Sequence, residues 1–195
     1  MRSALGKLVR KEFASQLARR LPQFSEIKGH MLYPGDRLYG NRTTVASFFL
    51  RLVPNIKRDS FIVEYGWSST EHPPAKHGWA SDRDIEPLTR DGHYFRISRS
   101  NELPRHEYWW VLADDMGEAM ERAKEEFKQE SDSPIETLVR ASSAAGLMYI
   151  GSIYHETPVE EIVPRVPSSV ADCVECVCTT VLPYFEKIRE LRTRI

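Results

Sequence analysis

Two groups of residues in this 195-residue chain have types and spacings that could do chemistry. His72 and His77 lie in the stretch EHPPAKHGW, with Glu71 before them and Asp82 and Asp84 after. Two imidazoles beside carboxylates could hold a divalent cation or supply a general base. An HExxH arrangement would place both rings on one helical face. Here Pro73 and Pro74 stand between the histidines and forbid that helix, because proline has no N–H to give it. The plain alternative is a solvated loop that happens to carry two histidines.

The second group is Cys173, Cys176 and Cys178. A zinc site needs four converging soft or imidazole ligands, and the chain holds no other cysteine. The segment has a helical pattern, which puts positions three apart on one face and turns the fifth elsewhere. Burial as small apolar side chains is therefore the expectation. No metal site and no cofactor is expected. The chain also lacks the GxxxxGK[ST] phosphate loop, a GxGxxG after a strand, and the GxSxG nucleophile elbow.

Binding residues are read from two features. Trp109 and Trp110 are adjacent on a predicted strand, so their rings point to opposite faces. An exposed ring such as Trp110 would suit a recognition surface, where aromatics are enriched; the alternative is that helices cover both. The predicted helix over 114–132 is acidic, and Glu118, Glu121 and Glu125 form a candidate docking face for a basic partner. A merely solvated face is the competing reading.

The elements that would position these residues follow from periodicity. Leu5, Leu8, Val9, Phe13, Leu17 and Leu21 recur at helical spacing, with Ser3 as N-cap and Pro22 as the stop. Strands are predicted over 27–33, 43–53, 61–67, 93–98 and 107–113, with turns at Pro34-Gly35-Asp36 and Gly40-Asn41. Residues 68–90 read as a long polar loop. Further helices are expected after Asp115 and Ser133, and a last one from Ser168 or Ser169, which Pro183 should kink. The stretch 147–154 fits a strand or a helix. This order predicts a single α+β domain over 1–195. Its core is an antiparallel sheet of about five strands, with an N-terminal helix and several C-terminal helices packed on it.

Composition narrows the function classes. No run of eighteen apolar residues occurs, so no membrane span is expected. Three crowded cysteines and an N-terminus without an apolar core segment point to a reducing, cytoplasmic location. The net charge of −1 conceals a split. Residues 1–58 hold twelve basic residues against three acids, a surplus of nine. A nucleic-acid binder would carry its excess over the whole domain, so this charge is expected to be met inside the fold.

Phe13 to Phe24, Phe48-Phe49-Leu50-Arg51-Leu52, Ile62-Val63-Glu64-Tyr65-Gly66, Trp109-Trp110 and Leu182-Pro183-Tyr184-Phe185 carry a further signal. Their order resembles a bacterial family of unknown function, some of whose members resemble toxin-immunity proteins. The resemblance implies an α+β fold and a protein partner, and it carries no catalytic residue. The expectation is a non-catalytic cytoplasmic protein-binding module, an immunity or accessory factor, with nucleic acid not among its partners. The alternative is an enzyme or metal-binding protein centred on the loop that holds His72, His77 and Trp79. Oligomeric state is left open.

Overall fold

A computed structural model describes residues 1–29, 35–55, 58–78, 87–98, 107–113, 125–126 and 156–194. The chain forms two compact units, one of residues 1–112 with 163–195 and one of residues 113–162.

The first unit opens with helix α1 (Ser3–Arg20). Its cap position is Arg2 and not Ser3, and Arg2 is fixed by Asp59, which accepts from the backbone N–H at 2.8 Å and from Nε at 2.7 Å. Leu5, Val9, Phe13 and Leu17 form the buried stripe. The strands follow as β1 (Ser25–Glu26), β2 (Arg37–Arg42), β3 (Ser47–Pro54), β4 (Ser60–Ser68), β5 (Lys76–His77), β6 (His93–Arg96) and β7 (Trp110–Val111). They make one seven-stranded sheet in the order β1-β2-β3-β4-β6-β5, with β7 paired to the start of β4.

The α+β class agrees with the sequence, but the sheet departs from it in four places. Gly40 and Asn41 lie inside β2 and are no turn. A Cβ on Gly40 would sit 2.7 Å from Ile27 Cδ1, so this glycine makes room for a side chain above the sheet. The turn before β3 is set by Thr43, whose hydroxyl contacts Val45, Ala46 and the Ala46 carbonyl, so that the predicted strand 43–53 starts only at Ser47. The sheet is also mixed, because β5 pairs in parallel with β6. A parallel pair needs a long connection, and the polar stretch read as loop supplies it. Of the predicted strand 27–33, residues 27–29 are outside any strand and 30–33 lie outside the described residues.

After the sheet the first unit resumes with a 3-10 turn (Val163–Arg165) and helix α3 (Val166–Cys176), which packs along α1. A π-helical segment, Val177–Val181, leads into α4 (Leu182–Thr193). Pro183 cannot donate to Thr179, and the chain answers one turn earlier: the Leu182 N–H bonds to Val177, five residues back. The helices cover one sheet face, carried by Phe48, Leu50, Tyr65 and Phe95. Phe185 meets Phe48 at 4.7 Å between ring centres, Tyr184 meets Tyr65 at 5.7 Å, and Phe13 meets Tyr39 at 5.5 Å.

In the second unit, α2 (Val159–Ile162) buries Ile162, and Glu125 and Glu126 are helical and exposed. The helix starts predicted at Asp115 and Ser133 and the ambiguous stretch 147–154 lie outside the described residues. Among the described residues no helix is long and apolar enough to cross a membrane.

Candidate functional site

The sheet face away from the helices carries the charge. Strand register sets the row: Leu38 stands opposite Arg51, Arg51 opposite Glu64, and Glu64 opposite Arg96. On the next row Gly40, Phe49, Gly66 and Tyr94 stand side by side. Gly66 is a gap in this face, where a Cβ would fall 2.3 Å from the His93 carbonyl and 3.0 Å from Pro74. Across that gap Tyr94 packs with Phe49 and Leu38, and the Arg51 guanidinium lies 4.8 Å over its ring.

Arg51 and Glu64 are both about 1% exposed. Burying two charges is costly unless they are paired and further bonded, and Glu64 meets that condition with both oxygens. Oε2 accepts from Arg51 Nη2, and Oε1 accepts from Arg96 Nε at 3.2 Å. The ladder then reaches water. Arg96 Nη1 donates to both Glu107 oxygens, at 2.9 and 2.7 Å. Burial pulls the Arg96 guanidinium down, but the bonds to Glu107 and then Glu64 outweigh it and hold the cation above its ordinary value. Burial likewise pushes the Tyr94 phenol well above its usual range, so it stays neutral beside the ladder.

His77 closes the site from the parallel strand. In register it lies beside Tyr94, its Nδ1 3.8 Å from Glu64 Oε1 and its ring 6.0 Å from the Tyr94 ring. His77, Gly78, Arg96 and Glu107 line a pocket of about 280 Å³. The Gly78 N–H is spent on the Tyr94 carbonyl at 2.8 Å, which fixes the strand end at the rim. The Trp109 ring lies 6.0 Å from the Arg96 guanidinium carbon.

Of the residues nominated from sequence, His77 is in this pocket and His72 does not line it. His72 is exposed, its backbone N–H donating to the Thr70 hydroxyl at 3.2 Å. Among the described residues no group of three or more His, Cys, Asp or Glu is placed to hold a metal ion. Asp82, Asp84 and Trp79 lie outside the described residues, as do Glu118 and Glu121. Glu125 is exposed.

Trp110 is a correction. The ring proposed for an exposed surface is 3% exposed, stacked 5.7 Å from Phe61, and its Nε1 donates to Asp172 of α3 at 2.7 Å. It is Trp109, the residue before β7, whose ring lies near Arg96. Beside Trp110, a second pocket of about 260 Å³ is lined by Tyr108, Val111, Ser168, Ser169 and Asp172.

Sequence reasoning missed Arg51, Glu64, Arg96 and Glu107. The signal was present for two of them: Arg51 and Glu64 are charges set inside runs that are otherwise apolar, FFLRLV and FIVEYGW.

Fold and site together define an α+β protein with a charged pocket on the sheet face opposite its helices. No protein-family model, no curated protein and no solved structure matches the chain.

Proposed function

We propose that the chain is a non-catalytic protein-binding module, an immunity or accessory factor, whose recognition centre is the pocket of His77, Gly78, Arg96 and Glu107. The observation that carries this reading is how Arg96 is held. Its Nε is tied to Glu64, and Glu64 is clamped by buried Arg51, so the cation stands at the mouth on a rigid sheet. Arginine and aromatic side chains anchored on rigid elements are the usual centres of protein interfaces, and Trp109 stands next to Arg96. Among the described residues that line the pocket none is a serine, threonine or cysteine. The free thiols Cys173, Cys176 and Cys178 support a reducing compartment, and the proposal places the protein in the cytoplasm.

The test is affinity capture from the source organism's lysate at low and high salt, with wild type beside Arg96→Ala. One stoichiometric protein held by wild type and lost by the variant supports the proposal. Equal capture by both moves the interface elsewhere, and capture of none removes the module reading.

A second reading has its own observation, the 3.8 Å approach of His77 Nδ1 to Glu64 Oε1. A carboxylate behind an imidazole orients it as a general base. Hydrolysis of any ester or phosphoester in a substrate panel, abolished in His77→Ala, would favour an enzyme.

A further inference from the structure

We infer that the pocket takes a carboxylate, and that in the free protein Glu107 occupies the place an acidic side chain of the partner would fill. The inference rests on the binding-module reading and names the chemistry its partner would present.

The four charges of the ladder are not equally fixed. Arg51 and Glu64 have side chains 1% and 2% exposed, and neither can leave without stranding the other in the interior. Arg96 is 41% exposed but anchored through Nε to that buried carboxylate. Glu107 is 37% exposed and precedes β7, outside any strand. Its bond to Arg96 is an ion pair at the protein surface, a kind that exchanges readily. Glu107 is thus the replaceable member.

Charge decides what would replace it. Arg51, Glu64 and Arg96 together leave one positive charge, which Glu107 cancels. A ligand that displaces Glu107 must bring one negative charge. A phosphate dianion would overshoot beside buried Glu64, whereas a carboxylate restores neutrality and matches the planar guanidinium fork. The fork also gives the newcomer a foothold: Nε and Nη1 are engaged, while among the described residues Nη2 is not. On the other wall His77, 46% exposed, adds an imidazole whose Nε2 has no partner among the described residues. The volume, about 280 Å³, lies just below the range of drug-sized pockets and suits a single side chain.

The experiment uses the purified full chain labelled with ¹⁵N and follows the Arg96 Nε–H and His77 signals by NMR. The titrants are N-acetyl-glutamate amide, its neutral N-acetyl-glutamine counterpart, and inorganic phosphate. The carboxylate probe should move both signals and the neutral one should not. In Glu107→Gln, which removes an exposed charge and leaves Arg51, Glu64 and Arg96 in place, the same probe should bind tighter by up to about fivefold, the factor an exposed ion pair of about 1 kcal/mol is worth. Arg96→Lys should lose most of the response. A carboxylate that moves neither signal, a Glu107→Gln that binds no tighter, or phosphate binding better than carboxylate would each overturn the inference. Its failure is separable from failure of the module reading. A partner captured through Arg96 with no carboxylate response leaves the module and removes the carboxylate; a carboxylate response with no captured protein does the reverse.

Discussion

Arg51 and Glu64 stand directly opposite each other on β3 and β4, and both side chains are almost wholly withdrawn from water. Glu64→Gln leaves the Arg51 cation buried without its counter-charge. It should lower unfolding free energy by about 3–5 kcal/mol in urea titrations, the range for breaking a buried pair from one side. Arg51→Met should cost a similar amount. The Arg51→Met, Glu64→Gln double variant should cost clearly less than the two single changes added, because it removes both desolvated charges at once.

The gap at Gly66 should be intolerant of a single methyl group. In Gly66→Ala the new carbon meets the His93 backbone, which cannot rotate away as a flexible side chain would. A loss of about 1–3 kcal/mol is expected from overpacking. A shift of the Tyr94 ring signals in NMR spectra should accompany it, since Tyr94 lies across that gap. An unshifted midpoint would show that β4 and β6 separate easily there.

Trp110 joins β7 to α3 through one hydrogen bond and stacks on Phe61 of β4, and two variants separate these contacts. Trp110→Phe keeps an aromatic against Phe61 and loses the bond to Asp172, for about 2 kcal/mol. Trp110→Ala loses both, at about 3–5 kcal/mol. Thermal unfolding of the two variants should rank them in that order.

Alkaline pH should destabilise the fold through Tyr39. Burial, and then the charge of Glu26, push its phenol from the ordinary 10.0 up to about 12. The folded protein therefore keeps a proton that the unfolded chain releases above pH 10. Stability from this group is complete below pH 10 and falls as pH rises toward 12, at about 1.4 kcal/mol per unit. Urea midpoints across this window should fall less steeply in Tyr39→Phe.

The helical parts of the first unit were legible because each face has one neighbour to satisfy. The stripe Leu5, Val9, Phe13 and Leu17 is buried as its spacing predicts, and so are Val170, Cys173, Val174, Val177 and Val181. Where Pro183 is expected to kink the last helix, a π-helical segment, Val177–Val181, precedes it. The alternation in β4 identified a strand but not its environment, since every residue from Ser60 to Ser68 is buried and alternation then only sorts two covered faces. Strand β2 was hidden by Gly40 and Asn41, whose types signal turns, because the space that Ile27 needs is a tertiary fact. Strand β5 is two residues long, too short for any period.

The site was legible only at His77. Its type announces chemistry, and the partners suggested by position along the chain are its sequence neighbours His72 and Glu71. The structure pairs Glu71 with Arg42 at 3.0 Å and gives His77 Glu64, Arg96 and Glu107 instead. Glu64 and Arg96 arrive through register across three strands, and register follows from turn lengths and pairing that spacing along the chain does not encode.

A helix that gains one residue turns everything beyond it by about 100°. Val177–Val181 takes up such a gain, so one continuous rod can offer aliphatic side chains along α1 and then the rings of Tyr184 and Phe185 to the sheet. Deleting Thr179 would restore ordinary helical winding and leave both rings on Phe48 and Tyr65, whereas winding all five residues as ordinary helix would swing them off. Within these five positions, then, inherited change has room in one direction: the wide turn can give up its extra residue and leave in place the aromatic layer that joins the last helix to the sheet, whereas one more residue than it absorbs would turn that layer away.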